Sequence, residues 1–355
     1  MNGTGTDKDS PPLPLCATLA IGTLPHQDTD RAVDLMIRMN PECPAWPQLP
    51  RVDFRESMYV QFAEGMPAAV VDSGRQRIYF DMDAAPEAMA EFYEHYLADD
   101  TGYLAITGDY ARGIEPLLER MPTPEARFLK GQVTGPISFG LTVTDAENKP
   151  VLYHDDLFEA IVKALAFKGR WQVEQFRRAA PGLYPVIFYD EPYLTQMGSA
   201  LISLPPEQIS ASLNECFASI DGYKGTHVCG GTDWGLLSAT GVDILHFDAA
   251  YHEQEFLLYE KELAAFMERG GMLGWGVVPT DESVFERKAR GLAEQVQSGA
   301  ERIAGFGPAG IGTEDVLRRS FITQSCGLGS RSIEIAVRSL ELAAEISDVL
   351  RPEIC

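Results

Sequence analysis

Apolar and polar positions along the chain follow two rhythms. Short runs rich in Val, Ile, Phe, Leu and Tyr, most of them closed by a Gly, Pro, Asp or Cys, fall at 17–21, 43–48, 128–133, 185–189, 225–228, 243–247, 272–277 and 321–325. Brief apolar runs bounded by turn residues predict buried strands. Stretches with apolar residues three and four apart lie at 29–39, 155–179, 206–220, 253–269, 282–304 and 330–350. In the second of these, Leu157, Ile161, Leu165 and Trp171 line one face, as in an amphipathic helix. Strands alternating with helices predict parallel strands joined by crossovers, and eight such strands predict a closed (β/α)8 TIM barrel. Residues 52–125 break the rhythm. There AAVVDSGRQRIYFDM holds two short β runs around a Ser-Gly-Arg-Gln turn. The block reads as an inserted hairpin and helical segment capping one barrel end. Residues 1–14 read as a flexible tail, and 15–355 as a single barrel domain with no linker dividing it.

Composition narrows the partners. The 355 residues carry 29 Lys+Arg against 52 Asp+Glu, a formal charge of −23, with 45% hydrophobic residues. That apolar content supports one large core and excludes a disordered or fibrous chain. The negative field disfavours nucleic acid and anionic membrane surfaces, whose phosphates it repels. No apolar run is long enough to span a bilayer, and the polar N-terminus lacks the basic and apolar regions of a signal peptide. The expected location is the cytoplasm, where thiols stay reduced. The six cysteines, at 16, 43, 216, 229, 326 and 355, are therefore better read as buried thiols or metal ligands than as a disulfide frame.

In parallel α/β barrels the active site gathers at the C-terminal ends of the strands. The unusual strand ends here are Ile21-Gly22-Thr23, Thr134-Gly135-Pro136, Asp190-Glu191-Pro192, His227-Val228-Cys229, Asp248 and Cys326-Gly327. His227 and Cys229 are two apart on one strand end, so both point to the same face. With Asp248 after the next strand and Cys326 after the last, they make a reasonable tetrahedral set for Zn2+. Taken locally, His-x-Cys fits a buried histidine beside a buried cysteine equally well; Cys326 before Gly327 tips the reading to metal. His246 shares the face of Asp248 and is a substitute ligand, with His252 a third option. Cys16, Cys43, Cys216 and Cys355 lack such company. Zinc held by thiolates suits alkyl transfer to a thiol better than hydrolysis, because it keeps a substrate thiol deprotonated yet nucleophilic.

These motifs resemble the catalytic barrel of cobalamin-independent methionine synthase, of the short "core" type, within the superfamily of uroporphyrinogen decarboxylase and the methylcobamide:coenzyme M methyltransferases. The family's zinc motif corresponds to His227, Cys229, Asp248 and Cys326, although its acidic ligand is usually Glu. Ile21-Gly22-Thr23 resembles the family's I-G-S, whose backbone amides receive the homocysteine carboxylate. Asp190 in Asp-Glu-Pro corresponds to the carboxylate that takes the homocysteine ammonium. The resemblance covers roughly residues 15–350 and implies one barrel where the long enzymes have two. It also places Gly276-Val277-Val278-Pro279-Thr280 where those enzymes carry a proton-donating histidine. Together with the lack of a basic cluster for a polyglutamate tail, this implies a methylcorrinoid, such as methylcobalamin or a corrinoid protein, as methyl donor in place of folate.

The expectation is a zinc-dependent thiol methyltransferase acting on homocysteine, with no catalytic group needed beyond the metal site. Three alternatives stay open at this stage: coenzyme M or another small thiol as acceptor, a uroporphyrinogen decarboxylase-like enzyme, and a non-catalytic barrel that binds a thiol or corrinoid.

Overall fold

The computed structural model describes residues 11–197, 204–307 and 310–354. Residues 1–10 of the expected tail and Cys355 lie outside the described residues. Among the described residues nine strands form, in chain order β1 (Ala69–Asp72), β2 (Arg77–Phe80), β3 (Phe128–Thr134), β4 (Thr144–Asp145), β5 (Tyr184–Asp190), β6 (Tyr223–Val228), β7 (Ile244–Phe247), β8 (Met272–Val278) and β9 (Ser320–Gln324). Six of them pair in parallel in the order β3-β5-β6-β7-β8-β9. They are buried along most of their length, as strands covered on both faces must be.

Two extended segments bridge the edges of this curled sheet. Residues 16–24 run beside β9, where Leu19 N donates to Ile322 O and Ile322 N returns to Ala17 O. Their other side meets residues 42–48 through Gln48 N to Gly22 O, and those residues reach β3 through Lys130 N to Pro44 O. The result is a TIM-barrel-like α/β fold. The first two strands expected from sequence, 17–21 and 43–48, are present only as isolated parallel bridges at Thr18, Thr23 and Ala45. Pro44 and Pro47 have no N–H to give to a ladder, and Gly22, at φ +140°, turns the chain out of strand geometry.

The helices follow the apolar periodicity closely where one face is continuous. Thr29–Met39 and Asp155–Ala179 form as expected, the first capped by Asp28 accepting from Arg31 N. Pro206–Ala218 and Ile333–Leu350 are slightly shorter than their patterns. The single helix expected over 253–269 divides into Glu253–Phe256 and Glu260–Glu268. Tyr259 sits at the break, where its hydroxyl donates to Thr232 O at 3.0 Å. A tertiary contact here overrides a periodic pattern. The 282–304 pattern likewise begins as a 3₁₀ turn, Glu282–Phe285, before the helix Ala289–Phe306. None of the described helices is long and apolar enough to cross a membrane.

In the insertion, β1 and β2 make the expected antiparallel hairpin, with Ala69 opposite Phe80 and Asp72 opposite Arg77. β4, from beyond the insertion, adds a third strand parallel to β2. The block is also fastened from below by Lys168 of the helix Asp155–Ala179. This lysine is fully buried and donates from Nζ to Glu64 O at 2.6 Å and Leu104 O at 3.2 Å. Burial pushes its pKa down to about 7, with the Glu64 carboxylate pulling weakly upward. The folded chain thus releases this proton before the unfolded chain, whose lysines titrate near about 10.4. Stability should fall as pH drops from that value and level off below about 7. Between about pH 9.5 and 7 the loss is on the order of 3 kcal/mol. Urea unfolding of wild type and Lys168→Met at both pH values checks this: the variant is expected to lack most of the slope, and parallel profiles would refute it.

Inside the barrel, Phe128, Val186, Phe188, Ile244, Met272 and Phe321 pack with Leu19 and Cys43 into one apolar cluster. These residues fill the N-terminal half, so the polar inward side chains collect toward the opposite mouth.

Candidate metal centre

The register of the sheet places Asp190, His227 and His246 side by side on β5, β6 and β7. The two-residue period then turns Cys229 to the face of His227, and Cys326 follows β9 across the mouth. His227, Cys229 and Cys326 each offer a ligand atom, and these atoms lie within 4.8 Å of one another. His227 is buried and the two cysteines are partly buried. The thiol of Cys229 and the ring of His227 hydrogen-bond to Cys326, which pulls the Cys326 thiol well below its usual range. The same pairing, reinforced by burial, pushes Cys229 up. Cys326 is thus the more acidic of the two thiols and the first to give up its proton when a cation arrives. Tetrahedral zinc with bonds of about 2.0–2.3 Å gathers ligands about 3.3–3.8 Å apart, so two sulfurs and an imidazole within 4.8 Å of one another suit the ion with at most small side-chain adjustment. One position of the shell is left over.

Asp248 stands outside that group. It is buried at the same mouth, accepts from Tyr251 N at 3.1 Å, and burial pushes its carboxyl up to about 6. His246 is not a member either: both of its ring nitrogens are occupied within the barrel. His252 lies at the rim, paired through Nδ1 with Glu255 at 3.1 Å. Cys16, Cys43 and Cys216 are fully buried away from the cluster, and burial pushes the Cys43 thiol up to about 12.

A cavity of about 290 Å3 opens over the cluster, lined by Ile21, Thr23, Glu56, Asp190, His227, Cys229 and Cys326. Asp190 is 7% exposed, and its Oδ1 finds no hydrogen-bond partner among the described residues. Burial pushes this carboxyl up to about 6, against the pull of Lys130 and His227. A buried carboxylate on a cavity wall, with hydrogen-bonding capacity to spare, is suited to a cationic ligand group. Opposite it, residues 21–24 are tied to Gln48 through Gly22 O and Leu24 N, which leaves the N–H groups of Gly22 and Thr23 out of that pairing. Gly22 could not carry a side chain, since a Cβ there would meet Gln132 at 2.8 Å. The Thr23 hydroxyl accepts from Gly329 N at 3.2 Å and so fastens this segment to the Cys326-Gly327 loop. A larger cavity, about 490 Å3, lies between the insertion and the helix Asp155–Ala179. Its walls are mainly apolar and bring no cluster of ligand atoms together, so size does not make it the site.

Sequence reasoning missed three supporting residues. Glu191, next to Asp190, points to the other face of the strand. There it accepts from Ile137 N at 2.9 Å and from Ser138 N and Oγ at 2.7 and 2.6 Å. Glu56 comes from the insertion and accepts from Leu49 N at 2.8 Å. Lys130, fully buried on β3, donates to Ile21 O at 2.5 Å and Gln132 Oε1 at 3.1 Å. It thereby braces the segment that faces Asp190. The only signal for Lys130 was its inward parity in the apolar run Phe128–Thr134.

No family model and no curated protein matches the chain. Among solved structures, a B12-independent methionine synthase from Shewanella sp. W3-18-1, in complex with selenomethionine, superposes with a TM-score of 0.50 at 13% identity. The match covers 97% of this chain and 96% of that one. At such identity the likeness is one of fold. The chain has the α/β barrel fold of a methionine synthase, the fold its strand-end motifs lead one to expect.

Proposed function

We propose that the chain is a zinc-dependent methyltransferase that moves a methyl group onto the thiol of homocysteine, giving methionine, with a methylated corrinoid as donor. One observation carries the reading: a sulfur-rich His227–Cys229–Cys326 cluster shares a cavity with the carboxylate of Asp190, whose Oδ1 has no hydrogen-bond partner among the described residues. Zinc bound there supplies the Lewis acidity that keeps a substrate thiol as thiolate at neutral pH. His227, Cys229 and Cys326 would hold the ion, and Asp248, buried at the same mouth, is the carboxylate that would be available to complete its shell. Asp190 takes the substrate ammonium. The backbone N–H groups of Gly22 and Thr23 take its carboxylate, as paired amides do for anions. These contacts hold the amino-acid end of the substrate on the wall of the cavity that the His227–Cys229–Cys326 cluster shares. In the transfer a carbon–sulfur bond forms while the methyl–donor bond breaks, and the electron pair of the broken bond stays with the donor.

The solved neighbour carries a selenium analogue of methionine, which is consistent with a methionine-shaped site in this fold. That neighbour is described as B12-independent, so the corrinoid donor rests on this chain's own features. Among the described residues no Lys or Arg lines the cavity, which leaves nothing there to hold a polyglutamate tail or a porphyrin's carboxylates. A sulfonate-bearing thiol such as coenzyme M meets Asp190 as a like charge. The test is methyl transfer by the zinc-loaded protein from methylcobalamin, or from methyltetrahydrofolate, to homocysteine or to coenzyme M. Homocysteine with methylcobalamin should be turned over at least about tenfold faster than the other pairs, a discrimination worth about 1.4 kcal/mol. No transfer with any pair, in protein carrying stoichiometric zinc, would leave a binding barrel and not an enzyme.

A further inference from the structure

Directly behind the metal cluster lies a second histidine that none of the roles above uses. His246 is fully buried, and its Nδ1 stands 2.7 Å from Nδ1 of His227. Its Nε2 contacts Thr323 Oγ1 and lies 3.1 Å from Gln324 O. The carbonyl can only accept. The Thr323 hydroxyl spends its own proton on the same carbonyl, at 3.0 Å, and so presents a lone pair to the ring. The proton of a neutral His246 therefore belongs on Nε2, and its Nδ1 faces His227 as an acceptor. His227 must answer with Nδ1–H, which leaves its Nε2 unprotonated.

The slot for this ring is built into β8. Gly274 pairs with His246 in register, and a Cβ there would meet His246 Cδ2 at 2.9 Å. A Cβ on Gly276 would meet its Cε1 at 3.1 Å and the Phe247 carbonyl at 2.6 Å. Two glycines two residues apart thus leave room for an imidazole in the barrel interior, where bulky branched residues are usual.

We infer that His246 is a positioning residue that fixes the tautomer of His227, so that the Nε2 lone pair of His227 is the one offered to the metal. The inference rests on the zinc reading above and assigns a residue to it that ligand spacing alone does not. Outer-shell partners of this kind typically contribute about 10- to 100-fold in metal affinity.

Two amide substitutions separate this role from simple packing. In His246→Asn the side-chain oxygen can occupy the place of Nδ1 and still accept from His227. In His246→Gln the amide reaches the place of Nε2 and satisfies Thr323 and Gln324 but leaves the place of Nδ1 without an acceptor. Zinc affinity is read by competition with a chelator, and the cobalt-substituted proteins by their thiolate-to-cobalt absorption. His246→Asn should stay within about threefold of wild type and keep its spectrum. His246→Gln should bind roughly 10- to 100-fold more weakly with an altered spectrum. Equal affinities in the two variants, or the reverse order, overturn the role of His246 while leaving the metal site standing. A wild-type protein that takes up no zinc overturns the metal site itself.

Discussion

Serine in place of Cys229 or Cys326 is expected to strip the protein of stoichiometric zinc and to abolish methyl transfer with it. The two sulfurs supply two of the three ligand atoms that lie within 4.8 Å of one another, so each substitution leaves an incomplete pair of donors. A serine hydroxyl stays protonated near neutral pH and is a hard, weak donor where the ion is held by soft ones. The loss in affinity should exceed about 100-fold, the upper end of what an outer-shell change costs. Zinc per chain after dialysis against a chelator decides the matter. Cys216→Ser serves as the control, since that buried thiol points at Val162 O and lies apart from the cluster. It should keep its zinc whatever it does to stability. Full zinc retention in both Cys229→Ser and Cys326→Ser would remove the site assigned here.

The legibility of this molecule from its sequence depended on whether a role is set by local spacing or by contact. His227 and Cys229 are two apart, and a strand's pleat alone brings them to one face. Cys326 joined them because the barrel gathers strand ends, which alternation of strands and helices already implied. Asp190 and Glu191 show the limit. They are adjacent, both acidic and both fully buried or nearly so, yet the pleat sends one to the cavity and the other to the start of the helix Pro136–Thr142. Composition could not separate them; parity could. The function of His246 was beyond reach, because its partner His227, its acceptor Gln324 and its two glycines come from three other strands. The same holds for the first two barrel segments. Their apolar runs read as strands, but Pro44, Pro47 and the turn at Gly22 leave them with only scattered bridges. Pattern reports where a segment is buried more reliably than how its backbone is paired.

Asp190→Asn is expected to lower kcat/KM for homocysteine by roughly 30- to 5000-fold, which corresponds to the about 2–5 kcal/mol lost when one partner of a buried charge pair is neutralised. The carboxylate is 7% exposed and its Oδ1 is unpaired among the described residues, so an incoming ammonium meets little competition from water or from other donors. Asparagine keeps the shape and an acceptor but removes the charge, and it turns an N–H2 group toward the cavity in one of its two orientations. Most of the loss should therefore appear in KM. Zinc content should be unchanged, because Asp190 is not among the clustered ligand atoms. A thiol without an ammonium group should respond in the opposite direction: relieved of a like-charge neighbour, an anionic acceptor such as coenzyme M should gain in the variant. That crossover distinguishes recognition of an amino-acid substrate from a general defect in the barrel, since misfolding lowers both rates together. Unchanged homocysteine kinetics in Asp190→Asn would detach the carboxylate from substrate binding. The zinc cluster would then stand alone as a thiol-activating site of undetermined acceptor.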